Sequence, residues 1–207
     1  PIDFIPVYEK SGLISRLDRY IWEQAAAKLG EWKKAGINMS ISVNISPKDF
    51  YYIDIFNTFA GLIKKYDIEP SNLKIEITET TIMSDVPNLM GELEELRKAG
   101  FTLEMDDFGS GYSSLNTLKD INVDVLKVDM GFIKETKNVK KSRIILASVI
   151  KMAKELNLLI ITEGVETEEQ VDNLTKLGCD VFQGYYFSKA IDVNEFEKRY
   201  LYRKKAG

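Results

Sequence analysis

The stretch RKAGFTLEMDD, residues 97–107, contains the structural unit that this chain repeats. Its two leading basic residues suit the negative carboxyl end of a helix, and Gly100 can adopt the left-handed backbone conformation that ends one. An apolar, strand-like run follows at once and ends in two adjacent aspartates, Asp106 and Asp107. The stretch therefore predicts the end of a helix, then a strand, then an acidic loop.

The same order of elements recurs along the chain. KKAG (33–36) and TKLG (175–178) also end helical segments and lead directly into apolar runs. Apolar periodicity and glycine positions predict strands near 39–45, 73–78, 102–106, 123–128, 158–163 and 181–187, with helices between most of them, a long first helix at about 12–35 and a last helix near 192–201. Strand followed by helix, repeated, predicts an α/β fold with a parallel sheet and right-handed crossovers.

The sequence also predicts where two of the helices begin. Ser46 followed by Pro47 is typical of an N-cap with proline at the first helical position. Thr167 with Gln170 three residues later fits a capping box, in which each side chain accepts a hydrogen bond from the other residue's backbone.

The composition is ordinary for a soluble globular protein, with 44% hydrophobic and 29% charged residues among 207. The formal net charge of −4 argues against a nucleic-acid polymer as partner, because such proteins present a basic face. No apolar run approaches the roughly 18 residues that would span a bilayer, so we expect no membrane contact. The single cysteine, Cys179, agrees with a cytoplasmic location. No linker-like segment divides residues 1–207, so one domain is expected.

Polar side chains fall at or just beyond the carboxyl end of every predicted strand. In chain order they are Asn44, Glu76 and Glu79, Asp106 and Asp107, Lys127 and Asp129, Glu163 and Glu166, and Gln183. In (β/α) barrels and doubly wound sheets, active sites assemble at this end of the strands. The chain has no histidine, so a metal here would be a hard divalent cation with oxygen ligands rather than a zinc ion held by imidazoles.

Carboxylates gathered at one rim would repel one another and lose solvation, at a cost on the order of several kcal/mol. One or two divalent cations would remove that cost, and two metals about 3.5–4 Å apart would let an aspartate bridge them. Simpler alternatives exist for each motif alone. The adjacent aspartates also fit a strand followed by an exposed Gly-rich turn, and Lys127 within its apolar run also fits a structural ion pair.

Six blocks of the sequence resemble the signature segments of a known family, in the same order and spacing. They are VNIS (43–46), IEITET (75–80), DDFGSGYSSL (106–115), LKVD (126–129), EGVET (163–167) and QGYYFS (183–188). Each block is weak alone, but the six together resemble specifically the EAL domain, the bacterial cyclic di-GMP phosphodiesterase. The resemblance covers essentially the whole chain.

The resemblance implies a TIM-like (β/α) barrel and a signalling hydrolase that cleaves cyclic di-GMP to linear pGpG with two Mg²⁺ or Mn²⁺ ions. It implies that the metal ligands are Asn44, Glu76, Asp106, Asp107 and Glu163, with Asp106 bridging. It assigns catalysis to Lys127, Glu163 and Asp107, with Lys127 holding or polarising the attacking water. Glu79 and Glu166 would stabilise the loop after the adjacent aspartates, and Gln183 and Asp129 would contact the substrate.

The chain departs from the family in one respect, because the Glu-Ala-Leu motif that names it is absent. In relatives this motif lies shortly before FIP, residues 4–6 here, and supplies one carboxylate ligand. Only six parallel strands are predicted against eight in a closed barrel. We therefore expect an incomplete barrel that lacks its first one or two strands and has exposed edges near 39–45 and 181–187. Two interpretations are open: a piece of a longer protein, or a naturally degenerate domain.

Three classes of function are compatible with these features. The first is the phosphodiesterase, with turnover impaired in this chain by the missing carboxylate. The second is a catalytically inactive EAL-like module that binds cyclic di-GMP as a sensor, and the third is a dimerising domain without a ligand. Lys127 favours the enzyme, since a sensor has no need of a residue that polarises water. A homodimer and additional signalling domains upstream are further expectations.

Overall fold

The computed structural model describes residues 4–109, 114–131, 139–179 and 181–202. Its helices are α1 (Ile5–Ser11), α2 (Ile14–Lys34), α3 (Asp49–Tyr52), α4 (Ile55–Tyr66), α5 (Glu79–Ile82), α6 (Leu89–Lys98), α7 (Ser114–Asp120), α8 (Val139–Glu155), α9 (Glu168–Leu177) and α10 (Val193–Phe196). Its strands are β1 (Ile41–Asn44), β2 (Leu73–Thr78), β3 (Leu103–Phe108), β4 (Val125–Asp129), β5 (Leu159–Glu163) and β6 (Val181–Phe182). A 3₁₀ turn, Pro70–Asn72, precedes β2, and a π-helical turn, Glu197–Leu201, continues α10.

The six strands form one parallel sheet in the order β1-β2-β3-β4-β5-β6, so each strand lies beside its neighbour in sequence. With its helices, the sheet curls into a half-barrel, which confirms the predicted incomplete TIM-like barrel. β1 and β6 are the two edges of the sheet, as expected from the sequence. All the carboxyl ends of the strands therefore lie along one rim.

One face of the sheet packs against helices and forms the hydrophobic core. In β2, the alternating residues Leu73, Ile75 and Ile77 are fully buried, and the side chains between them point to the other face. Trp22 of α2 packs on Phe59 of α4 with ring centroids 4.9 Å apart. Burying side chains of this size stabilises a fold by about 1.5–3 kcal/mol each. The alternation leaves the polar residues of the strands on the inner face of the half-barrel.

The predicted capping box is present at the start of α9, but the Ser-Pro signal is wrong. The Thr167 hydroxyl accepts the backbone N–H of Gln170, and the Gln170 side chain accepts that of Thr167. Ser46 caps no helix. Helix α3 begins at Asp49 instead, and the Asp49 carboxylate accepts both the N–H and the hydroxyl of Ser46.

β6 is shorter than predicted, since it covers only Val181–Phe182 and the next residues turn back. The backbone N–H of Tyr186 donates to the carbonyl oxygen of Val165 instead of extending the ladder. Gly184 passes so close to Val165 that a Cβ at this position would lie 2.1 Å from the same oxygen. The aromatic residues at 185–187 favour a strand locally, but this contact with the turn after β5 ends it.

Helix α2 confirms the predicted long first helix, while α1 before it was not predicted. Gly12, in the left-handed conformation at φ 73°, separates the two. α1 buries no side chain, and α2 supplies core residues that include Trp22 and Leu29. Across the described residues, α2 included, no helix combines the length and the apolar character needed to cross a membrane.

Candidate active site

The parallel register brings the polar residues of successive strands to one rim of the sheet. Asn44 of β1 lies opposite Glu76 of β2, and Asp129 of β4 lies opposite Glu163 of β5. Asn44 and Asp129 have exposed side chains at the ends of their strands. The carbonyl oxygen of Asn44 accepts a hydrogen bond from Trp22 Nε1 at 2.9 Å, so α2 holds the end of β1. The structure thus assembles the rim that the sequence predicted.

The ammonium group of Lys127 lies at the centre of this rim. Its Nζ is 2.8 Å from Glu76 Oε1, 2.9 Å from Glu163 Oε1 and 3.1 Å from Asp106 Oδ1. Lys127 is only 3% exposed, because it projects from the middle of the buried strand β4. The ion pair considered as a simpler alternative is therefore real, but it joins one ammonium to three carboxylates rather than to one.

The environment of Lys127 keeps it charged. Burial by itself would lower the pKa of Lys127, but the charge of Glu76, its hydrogen bond and the charge of Asp106 outweigh burial, so this pKa is raised. Lys127 remains an ammonium ion at physiological pH. It can donate hydrogen bonds and stabilise negative charge, but it cannot serve as a general base in this state.

The carboxylates of the rim outnumber this ammonium. Burial raises the pKa of Glu76 and of Glu163, Lys127 offsets part of that effect, and the charge of Asp106 raises both again. The pKa of Asp107 is also raised, first by burial and then by the charge of Asp106. Four carboxylates around one ammonium leave negative charge that a further cation would stabilise.

A β-bulge in β3 explains how the side chains of two adjacent aspartates can both lie at the same rim. The pairing of β3 with β4 jumps from Met105–Leu126 to Phe108–Val128, so two residues of β3 face one residue of β4. Asp107 adopts a left-handed conformation at φ 56°, and its N–H donates to Asp106 Oδ1 at 3.0 Å. In a regular strand the two side chains would point to opposite faces. The bulge removes that restriction.

Three further predicted site residues lie just beyond the strands. Glu79 is 2% exposed in the first turn of α5, directly after β2. Glu166 is exposed in the turn after β5, and Gln183 is exposed directly after β6. Residues 110–113, in the loop that Glu79 and Glu166 are predicted to stabilise, lie outside the described residues. That role therefore stays a prediction.

The donor chemistry of the rim fits hard divalent cations, because carboxylate and amide oxygens are the ligands that Mg²⁺ and Mn²⁺ prefer. As the side chains stand, no three acidic, histidine or cysteine groups within the described ranges surround one point as a metal ion requires. Lys127 Nζ occupies the space between Glu76, Asp106 and Glu163. Metal binding would therefore require the ammonium to withdraw from at least one carboxylate.

A second polar layer lies beneath the rim, and the sequence reasoning missed it. Glu104 is 1% exposed, with Oε1 3.0 Å from Lys74 Nζ and Oε2 accepting the Ser42 hydroxyl at 2.8 Å. Each of these residues lies two positions before a rim residue on its own strand, so it shares the same face. The signal was the alternation of polar and apolar residues in the strands. This layer forms a hydrogen-bonded floor under the candidate active site.

Comparison with known proteins agrees with this geometry. The family model of the EAL domain matches residues 1–190. The bifunctional diguanylate cyclase/cyclic di-GMP phosphodiesterase MucR of Pseudomonas aeruginosa is 34% identical over 196 residues, which cover 94% of this chain and 29% of MucR. The solved PaMucR phosphodiesterase in complex with c-di-GMP has a TM-score of 0.87 at 34% identity and covers 95% of this chain and 80% of that chain.

A second solved structure contains a metal. The manganese/cy-diGMP complex of Klebsiella pneumoniae BlrP1 has a TM-score of 0.74 at 29% identity and covers 84% of this chain and 44% of that chain. The chain spans about a quarter to a third of the length of the curated relatives it matches. Because the family model matches residues 1–190, most of its length, this chain belongs to the EAL domain family.

Proposed function

We propose that this chain is a metal-dependent phosphodiesterase that hydrolyses cyclic di-GMP to linear pGpG. The observation that carries the proposal is the cluster of Glu76, Asp106, Asp107 and Glu163 around Lys127 at the carboxyl ends of parallel strands. Active sites of (β/α) barrels form at this rim. The cyclic di-GMP complex of PaMucR, whose fold this chain shares, supports the choice of substrate.

Five residues would hold two Mg²⁺ or Mn²⁺ ions: Asn44, Glu76, Asp106, Asp107 and Glu163. When bound, such ions lower the pKa of a coordinated water and stabilise charge on the phosphoryl group. The excess of carboxylates over ammonium supports this proposal, because the raised pKa values of Glu76 and Glu163 reflect negative charge in a poorly solvated place. The manganese complex of BlrP1 supports the class of metal.

Side chains of the protein would orient the attacking water and accept its proton. Lys127, as an ammonium, would donate a hydrogen bond to the attacking water and orient its oxygen toward phosphorus. One of the two carboxylates Glu163 and Asp107 would accept the proton that the water loses. As the new P–O bond forms, the bond from phosphorus to the departing ribose oxygen breaks, and that oxygen takes up a proton from solvent to become a hydroxyl group.

Gln183 and Asp129 would contact the substrate, since both are exposed at the rim beside the carboxylate cluster. Glu79 and Glu166 would stabilise the loop after β3. The homodimer and the additional signalling domains expected from the sequence stay predictions.

One observation favours a second function, a module that binds cyclic di-GMP without cleaving it. Lys127 contacts three carboxylates and fills the space that a metal would take. Because the ammonium of Lys127 already balances part of the negative charge of these carboxylates, the site could bind cyclic di-GMP without a metal. The two functions differ in whether pGpG is formed.

Chromatography of cyclic di-GMP and pGpG after incubation with Mg²⁺ or Mn²⁺ tests the proposal. We expect slow formation of pGpG that is abolished by Asp106→Asn and reduced at least about 100-fold by Lys127→Met, a range typical of lost transition-state contacts. Lys119→Met, an exposed lysine on α7, is the matched control and should retain the activity. Binding of cyclic di-GMP without pGpG would favour the sensor, and neither binding nor cleavage would contradict both functions.

A further inference from the structure

Glu104 is a buried carboxylate on the inner face of β3, one layer below the rim, and the proposed mechanism gives it no task. Its side chain is 1% exposed. Both of its oxygens are engaged, since Oε1 lies 3.0 Å from Lys74 Nζ and Oε2 accepts the Ser42 hydroxyl at 2.8 Å. These contacts come from two different strands, β2 and β1, so they fix the orientation of the carboxylate.

The register of the sheet places this second polar layer directly beside a proposed metal ligand. Glu104 lies opposite Glu76 of β2, and Lys74 lies opposite Ser42 of β1. Lys74 also lies two positions before Glu76, on the same face of β2. Neighbouring strands are only about 4.8 Å apart. The charges of Glu104 and Lys74 are therefore both close to the carboxylate of Glu76.

Lys74 has a second acidic neighbour within reach besides Glu104. Two positions along a strand correspond to about 6.6 Å, and the flexible four-carbon stem of a lysine can span that distance to Glu76. Glu76 accepts a hydrogen bond from Lys127 through Oε1, so Lys74 would approach its other oxygen, Oε2. The observed ion pair with Glu104 instead directs the ammonium of Lys74 away from the rim.

The position of this ammonium matters because the rim holds an excess of carboxylates. Glu76, Asp106, Asp107 and Glu163 surround the single ammonium of Lys127. A second ammonium among them would cancel part of the negative charge and repel a divalent cation. Below the rim, Glu104 neutralises Lys74, so the second polar layer adds no net charge.

We propose that Glu104 is a positioning residue that holds the ammonium of Lys74 below the rim and so preserves the negative charge that binds a metal. The hold on Lys74 is independent of the proposed function, and only its effect on metal binding rests on that function. Glu104 would contact neither the metal nor the substrate. The Ser42 hydroxyl contributes by fixing the carboxylate in the orientation that faces Lys74.

A crystal structure of Glu104→Gln without metal tests the hold on Lys74 directly. Glutamine keeps the shape of the side chain and an oxygen acceptor for Ser42, but it has no charge. We expect Lys74 Nζ to lie within about 4 Å of an oxygen of Glu76 or Asp106, which is ion-pair distance. An ammonium that stays at its wild-type place, or that turns out to solvent, would overturn the proposal.

Isothermal titration calorimetry with Mn²⁺ separates this role from a merely structural one. We expect Glu104→Gln to weaken Mn²⁺ binding about tenfold, because the positive charge of Lys74 is then uncompensated. Lys74→Met should not weaken binding, and the double variant Glu104→Gln/Lys74→Met should bind within about twofold of the wild type. A layer that only supports packing would make both single variants bind more weakly and the double variant weaker still, which would overturn the proposal.

The matched control is Glu94→Gln, which removes the carboxylate of an ion pair with Lys98 on the surface of α6. It should leave the Mn²⁺ affinity unchanged, and an equal loss there would overturn the specific role of Glu104. If Glu104→Gln does not fold, Lys74→Met and the double variant still decide, because a merely structural layer requires both to bind Mn²⁺ more weakly. Wild-type protein that binds no Mn²⁺ would count against the proposed function, while the position of Lys74 in Glu104→Gln would still decide this inference.

Discussion

Lys127 is the residue on which the electrostatics of the rim depend. It is the shared partner of Glu76, Asp106 and Glu163, and breaking a buried ion pair leaves a charge without compensation. We expect Lys127→Met to lower the free energy of unfolding of the metal-free protein by about 3 kcal/mol. Mn²⁺ should restore most of this loss, because a cation then replaces the ammonium. Calorimetric unfolding with and without Mn²⁺ measures both effects.

The control for this prediction is Lys65→Met. Lys65 forms an exposed ion pair with Glu23, and solvent screening leaves such pairs with little effect on stability. Its small loss of stability should be the same with and without Mn²⁺. A loss in Lys127→Met that Mn²⁺ leaves unchanged would show that the ammonium and a metal do not share one place.

The adjacent aspartates should differ in their importance. If Asp106 bridges two metals, Asp106→Asn removes a ligand from both, whereas Asp107→Asn removes a ligand from one. We expect Asp106→Asn to abolish measurable Mn²⁺ binding and Asp107→Asn to leave one weaker site, as determined by isothermal titration calorimetry. Equal effects of the two substitutions would exclude the bridging role.

The raised pKa values of Glu76 and Glu163 predict how metal binding depends on pH. Because burial raises both values, these groups keep protons to a higher pH than free carboxyl groups do, and a metal must displace them. Mn²⁺ affinity should therefore keep increasing as the pH rises beyond the range in which free carboxyl groups titrate. Calorimetry in buffers with different ionisation enthalpies should detect the released protons. Affinity that does not change with pH would contradict this account.

The same raised pKa values also determine the direction in which the free energy of unfolding changes with pH. A carboxyl group whose folded pKa is raised contributes stability that is fully present below its unfolded pKa and is lost as the pH rises through the folded value. For Glu76 and Glu163 this makes the metal-free protein less stable on the neutral side than in mild acid. Bound Mn²⁺ should weaken that trend.

At the scale of elements, the turn after β6 depends on a close approach of two backbones. A Cβ at Gly184 would lie 2.1 Å from the carbonyl oxygen of Val165. We expect Gly184→Ala to lower the free energy of unfolding in urea by about 3 kcal/mol, since it forces the backbone apart. Gly61→Ala in helix α4 is the matched control, because nothing lies within 4 Å of the added methyl group. It should be neutral or stabilise by about 0.5–1 kcal/mol.

The β-bulge in β3 also belongs to this scale. Sequence patterns locate the strand to within two residues but give no sign of the extra residue. The bulge lies where β3 pairs with β4, at the two residues Asp106 and Asp107. Its left-handed residue is an aspartate, a residue type that tolerates this conformation better than most.

For the whole molecule, the open sheet leaves β1 as an edge strand. Ile41 is half-exposed there and lines a largely apolar cleft of about 630 Å³ with residues of the segment 187–200. If the expected homodimer pairs through this edge, Ile41→Lys should shift sedimentation toward the monomer, because charged residues block edge pairing. Tyr52→Lys, at a strongly exposed position on α3, should leave the distribution unchanged. A monomeric wild-type chain would contradict the expectation.

The sequence by itself determined the order of elements and the side of the sheet on which function lies. Glycine-terminated helices, apolar strand runs and polar strand ends are local signals, and in a parallel sheet they suffice to place Asn44, Glu76 and Glu163 along one rim. The bulge, the early end of β6 and the contacts of the buried Glu104 with Lys74 and Ser42 were decided only by the tertiary structure. So was the contact of one lysine with three carboxylates. Each of these depends on distances between residues far apart in the chain, and no local pattern contains that information.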